Sequence, residues 1–154
     1  MADYFFDSSG LVKRYVAESG TAWVIDKFKP RQRSEIAVSQ ISAVEVVSAI
    51  TRRRRGGSLE TDKSEKAIRR FLRDYHSRFA VVRVNDAIIN EAVRLAQIHN
   101  LRGYDAVQLA TALELKKRLQ KSGLPPFEFI SADNDLNTAA NAEGLTVENP
   151  NNYP

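Results

Sequence analysis

Four acidic residues stand where a carboxylate can do chemistry: Asp7, Glu45, Asp105 and Asp133. Each follows a short strand-like or loop stretch and precedes a run with helical periodicity. Carboxylates packed into one pocket repel one another unless something offsets their charge. A hard divalent cation does so. Mg²⁺ takes oxygen ligands, uses one or two carboxylates, keeps several waters and accepts phosphate oxygens. Such an ion can activate water against a phosphodiester and neutralise charge that develops as the bond breaks. A plainer reading covers the same residues. Asp and Glu are favoured in first helical turns by the dipole and by capping, and Ser42-Ala43-Val44-Glu45 has capping-box spacing. From the residues alone, both readings stay open.

Other chemistries are removed by what is missing. The chain has no cysteine, which excludes disulfides, thiolate nucleophiles, Cys-ligated zinc and iron–sulfur clusters. His76 and His99 are too few for a multi-histidine metal site and read as ordinary structural residues. Neither GxxxxGK[ST] nor GxGxxG occurs, so phosphate-loop and dinucleotide-binding enzymes fall behind. An aspartyl-nucleophile phosphatase wants a second Asp two residues after the first, and that position is Ser9. Asp135 is a fifth candidate ligand, but an acid in the first turn of a short helix needs no such role.

Positioning these acids falls to an alternation of strands and helices. Tyr4-Phe5-Phe6 reads as a strand, followed by a helical pattern through Leu11, Val12, Tyr15 and Val16 with Ser8 or Ser9 as its N-cap. Thr21–Phe28 is helical and Glu35–Ser39 a strand. Ser42 opens a helix that runs to Arg55 and stops at Gly56-Gly57. A charged helix spans about Asp62–Phe79, Ala80–Val84 is a strand, and Asn85 caps the next helix. Tyr104–Lys121 reads as the clearest amphipathic helix. Phe127–Ile130 is a strand, Ala132–Ala142 a helix and Leu145–Val147 a last strand. With 154 residues, 43% of them apolar and 27% charged, the pattern predicts one α/β domain over 1–154, a largely parallel central sheet flanked by helices. Right-handed crossovers send helix N-termini to one sheet edge, where the four acids can converge. No stretch is long and apolar enough to span a membrane, and the opening MADYFFDSSG lacks the basic-then-apolar order of a secretory signal. The expectation is a cytoplasmic protein.

The net charge of +4 is unevenly spread. Thr51–Arg83 holds 11 basic and 4 acidic residues, while the rest holds 12 basic and 15 acidic. A polyanion partner suits that basic segment. Arg52, Arg53, Arg54 and Arg55 complement a helix C-terminus and are equally able to grip phosphates. Lys13 and Arg14, just after Asp7, are placed to meet a scissile phosphate. Lys66, Arg69, Arg70 and Arg73 read as a solvated face. Trp23, Val24 and Phe28 read as core or as a surface for a partner helix. Tyr104, beside Asp105, reads as packing, with base stacking as its other use.

Four stretches also carry a family resemblance. Asp7-Ser8-Ser9-Gly10-Leu11-Val12-Lys13-Arg14-Tyr15-Val16 resembles the opening of PIN-domain proteins. Ser42-Ala43-Val44-Glu45-Val46 is similar to that family's second acidic motif. Tyr104-Asp105-Ala106-Val107-Gln108-Leu109-Ala110-Thr111-Ala112 resembles its third, and Ser131-Ala132-Asp133-Asn134-Asp135-Leu136 its fourth. The closing Glu143–Val147 and Asn149-Pro150 also fit. Compact length and the Lys13-Arg14-Tyr15-Val16 continuation are most similar to VapC-type toxins of toxin–antitoxin pairs. The resemblance implies Mg²⁺- or Mn²⁺-dependent endoribonuclease activity, a homodimer, and inhibition by a small VapB-like antitoxin. It implies Asp7 and Asp105 as main metal ligands, Glu45 and Asp133 acting directly or through water, and Ser9 and Ser131 as hydrogen-bonders behind them. A housekeeping PIN nuclease acting on other RNA or structured DNA, and a non-cleaving antitoxin-binding module, are the alternatives.

Overall fold

A computed structural model of the chain describes residues 1–154. Five strands form one all-parallel sheet: β1 (Tyr4–Phe6), β2 (Ile36–Ser39), β3 (Ala80–Val82), β4 (Glu128–Ile130) and β5 (Thr146–Glu148), in the order β3-β2-β1-β4-β5. Apolar side chains on both sides of each central strand demand cover on both faces, and helices supply it. Register places Phe5 beside Ala37 and Phe129, and Phe6 beside Val38 and Ile130. On the Phe6 side lie α1 (Ser8–Leu11, continuing as a 3₁₀ turn to Arg14), α2 (Thr21–Lys27), α3 (Ser42–Arg55) and α4 (Thr61–Ser77). On the Phe5 side lie α5 (Asp86–His99), α6 (Gly103–Lys121) and α7 (Asn134–Ala142).

Each face therefore has its own core. Phe5 stacks on Phe129 with ring centres 5.8 Å apart, and Phe6 packs on Phe28 at 5.4 Å. Fully burying side chains of this size is worth about 1.5–3 kcal/mol each. α6 departs from the amphipathic helix its sequence predicts. Gln108, Leu109, Ala110, Thr111 and Ala112 are buried in succession, all round the helix axis, because α5, α7 and β2 all pack against it. The small Ala residues allow that close approach. Its first turn and its last turns reach solvent.

Chain order fixes the location of the site. From β1 the chain moves outward through β2 to β3, and α5 and α6 then carry it back across β1 to β4. The strand order reverses between β1 and β4, and in such sheets ligands bind outside the carboxyl ends of the strands at that reversal. Asp7 follows β1 directly and Ser131 follows β4.

Candidate active site

Asp7 is 2% exposed and caps α1 itself: Gly10 N–H donates to its Oδ1 at 2.9 Å. The sequence pointed instead to Ser8 or Ser9 as the cap. Asp7 takes that role because it closes β1, leaving its carboxylate below the first free N–H groups. Ser9 Oγ–H lies 2.8 and 2.9 Å from the two carboxylate oxygens, and Ser131 Oγ–H donates to Oδ2 at 3.0 Å. Ala132 N–H donates to Ser9 Oγ and Asp133 N–H to Ser131 Oγ. Two serines thus lace the ends of β1 and β4 together around one carboxylate. Burial pushes the Asp7 carboxyl up to about 7, against the lowering effect of the bonds from Gly10, Ser9 and Ser131, while Glu45 adds repulsion.

Asp133 caps α7, accepting from Leu136 N–H at 2.9 Å. Glu45 lies in the first turn of α3, but no capping box forms and α3 has no side-chain cap. Glu45 Oε1 instead accepts from Gln108 Nε2 of α6 at 2.8 Å, and Ser42 Oγ lies 3.0 Å from the same nitrogen. Asp105, in the first turn of α6, is half-buried and none of the site's hydrogen bonds reaches it. Its carboxyl is pushed up to about 6, first by burial and then by Asp133 and Glu45, with Arg102 opposing them.

All four acids line one cleft of about 450 Å³, together with Ser8, Ser9, Lys13, Glu18, Arg52, Arg53, Arg102 and Tyr104. The basic residues divide sharply. Lys13 is buried, its ammonium donating to Glu18 Oε1 at 3.2 Å and to the Ser19 carbonyl at 2.8 Å. Arg53 reaches the other Glu18 oxygen at 2.8 Å, so one carboxylate pins two cations to the cleft wall. Arg52 lies at the exposed mouth. Arg14 is placed elsewhere: its guanidinium lies 4.3 Å from the Phe28 ring centre and pairs with Asp74 at 3.3 Å. Arg54 and Arg55 do not line the cleft either, because the helix turns them away from Arg52 and Arg53.

Sequence reasoning missed Glu18, Arg102 and Gln108. Arg102 had a signal: it is the N-cap residue of α6, three positions before Asp105. Gln108 had one as well, as the single polar residue between Ala106 and Ala110. Tyr104 does not pack: it is 64% exposed at the cleft.

The donor set suits a hard divalent ion. Asp105 offers a carboxylate without a donor, its pKa raised by burial, Asp133 and Glu45 and opposed by Arg102. No three His, Asp or Glu side chains stand tightly enough to hold an ion among themselves.

The PIN domain family model matches residues 4–141, and the chain belongs to that family. No curated protein matches it by sequence. Among solved structures, a sarcin–ricin-loop-cleaving VapC toxin of Mycobacterium tuberculosis shares the fold at TM-score 0.62 and 15% identity, covering 94% of this chain and 97% of the other. A toxin–antitoxin complex from Klebsiella pneumoniae gives 0.59 and 21%, over 96% and 98%. A protein from Pyrobaculum aerophilum gives 0.61 and 19%, over 95% and 89%. No helix is long and apolar enough to cross a membrane.

Proposed function

We propose that this PIN domain is a divalent-metal-dependent endoribonuclease, the toxin of a VapBC-type toxin–antitoxin pair. The observation that carries the reading is the convergence of Asp7, Glu45, Asp105 and Asp133 on one cleft, from four separate stretches of chain. Asp7 and Asp105 are the main candidate ligands of Mg²⁺ or Mn²⁺. Glu45 and Asp133 complete the acidic site directly or through water, and Ser9 and Ser131 hold Asp7 in one orientation. When bound, the ion supplies Lewis acidity toward a phosphodiester oxygen and activation of a water molecule. The protein's own part is orientation and charge. Capping and two hydroxyls fix the Asp7 carboxylate, so little reorganisation remains at the moment of reaction. Lys13 and Arg53, fixed by Glu18, and Arg52 and Arg102 at the mouth give the phosphate backbone a cationic wall. Hydrolysis adds water across one P–O bond and leaves two RNA fragments.

The VapBC part rests on the motif resemblance and on structural neighbours described as toxins and toxin–antitoxin complexes. A VapB-like antitoxin, a homodimer and a cytoplasmic setting belong to the same proposal. The test is cleavage of a labelled RNA panel by wild type, Asp7→Asn and Asp105→Asn, with Mg²⁺, Mn²⁺ or EDTA. Metal-dependent cutting confined to wild type supports the reading. Cutting that survives EDTA or both substitutions contradicts it.

A further inference from the structure

One residue of the third motif has no task in this scheme. Gln108 sits one turn beyond Asp105 on α6, is 1% exposed and does not line the cleft. Its Nε2 stands 2.8 Å from Glu45 Oε1, 3.0 Å from Ser8 Oγ and 3.0 Å from Ser42 Oγ. One amide group therefore meets side chains from α1 and α3, beside two of the four acids.

The proton count decides how the amide lies. An ionised carboxylate only accepts, so Glu45 requires the NH₂ end of Gln108 and excludes the carbonyl end. The carbonyl then faces the interior, where Gln108 Oε1 is buried and accepts no hydrogen bond. An orphaned buried acceptor costs about 1–3 kcal/mol. An apolar side chain of similar length would avoid that cost, but would leave the buried Ser8 and Ser42 hydroxyls without the amide they now meet. The benefit lies at the other end. Asp7 is fixed by three donors and Asp133 by its cap, whereas the Gln108 bond is the one that holds the Glu45 side chain. Without it, Glu45 keeps its full rotamer freedom.

The geometry points to Gln108 as a positioning residue: it holds the Glu45 carboxylate beside Asp105 and thereby raises the affinity of the acidic cleft for a divalent cation. This rests on Glu45 belonging to the metal site. Partners behind metal ligands change affinity by about tenfold or more when removed, and the same scale applies here.

The test is a Mn²⁺ titration of metal-free protein, with free Mn²⁺ read by its paramagnetic resonance signal. It compares wild type, Gln108→Met, Gln108→Asn, Glu45→Ala and the Glu45→Ala/Gln108→Met double variant, each with a thermal melt. Gln108→Met is expected to weaken Mn²⁺ binding about tenfold, while any fall in its metal-free Tm reports separately the loss of the amide's contacts with Ser8 and Ser42. Gln108→Asn, too short to reach Glu45, weakens binding in the same direction and carries the test should the Met variant not fold. In the Glu45→Ala background, Gln108→Met changes nothing further. Wild-type affinity in both Gln108 variants overturns the inference, as does an equal loss with and without Glu45. Failure of the wild type itself to bind Mn²⁺ is a different result and overturns the metal-site reading beneath it.

Discussion

At the β1–β4 end of the cleft, Asp7 is sealed in: almost wholly buried, capping α1, and receiving Gly10, Ser9 and Ser131. At the α6 end, Asp105 stands half in solvent with no donor, under pressure from Asp133 and Glu45. Both carboxyls are pushed upward, yet the causes differ after burial. Hydrogen bonds oppose the shift at Asp7, whereas like charges add to it at Asp105. The difference separates two duties within one acidic site. Asp7 is part of the frame, a cap and a tie between two strands, and burial disfavours its charge there more than its three donors offset. Asp105 has no framing duty, and its charge is free to meet whatever enters the cleft.

The largest expected effect is on cleavage, where the two ends behave alike. Asp7→Asn and Asp105→Asn each lower the rate of RNA cleavage by about 10³-fold or more at saturating metal, measured by single-turnover assay. Equal, near-wild-type rates in either variant would break the idea of a shared site.

Acidity separates the two ends. In the metal-free fold Asp7 keeps its proton up to about pH 7, while in the unfolded chain it loses it near its ordinary 3.8. Between those values the folded state binds more protons, so stability falls as pH rises. Asp7→Asn removes that fall, and its advantage over wild type grows from pH 4 to 7, on the order of a few kcal/mol. Urea melts of metal-free protein across that range measure it. Mn²⁺ raises the wild-type Tm more at pH 8 than at pH 5, because the ion needs ionised carboxylates.

Truncation sharpens the contrast further. At pH 5 Asp7→Ala loses a helix cap and leaves Gly10 N–H and two hydroxyls without an acceptor, costing about 1–3 kcal/mol. Asp105→Ala leaves no donor stranded and stays within about 0.5 kcal/mol of wild type. Calorimetry of the two variants gives the comparison directly.

The smallest effects concern the cations. Arg102→Ala, at the exposed mouth, raises KM for RNA about threefold to tenfold with kcat nearly unchanged and flattens the salt dependence by one phosphate contact. Arg14→Ala leaves cleavage unchanged and lowers Tm instead, since its guanidinium is spent on Phe28 and Asp74. A loss of cleavage in Arg14→Ala at full stability would place that residue back among the RNA contacts.

These differences also mark what could be read from the residues. The alternation of apolar strands and helices is local, and so are the junctions that hold the four acids; Tyr4–Phe6 with Asp7 and Phe127–Ile130 with Asp133 needed no tertiary knowledge. What each acid touches is not local. Ser42 and Glu45 have capping-box spacing, yet Gln108, 63 positions on, takes Glu45 for itself. Lys13 and Arg14 are neighbours in sequence, but one turn of 3₁₀ helix sends the first to the cleft and the second to Phe28. α6 reads as amphipathic because Gln108 and Thr111 are polar, although both are buried in partnerships with residues from α1, α3 and β2. Polar residues that pair across the fold leave no periodic trace.

The most direct test is anomalous diffraction from a crystal soaked in Mn²⁺. A manganese peak between the Asp7 and Asp105 carboxylates, with Glu45 and Asp133 facing it directly or through water, is the predicted result. A cleft free of metal at saturating Mn²⁺, with Asp105 turned outward and Asp7 still capping α1, would contradict it.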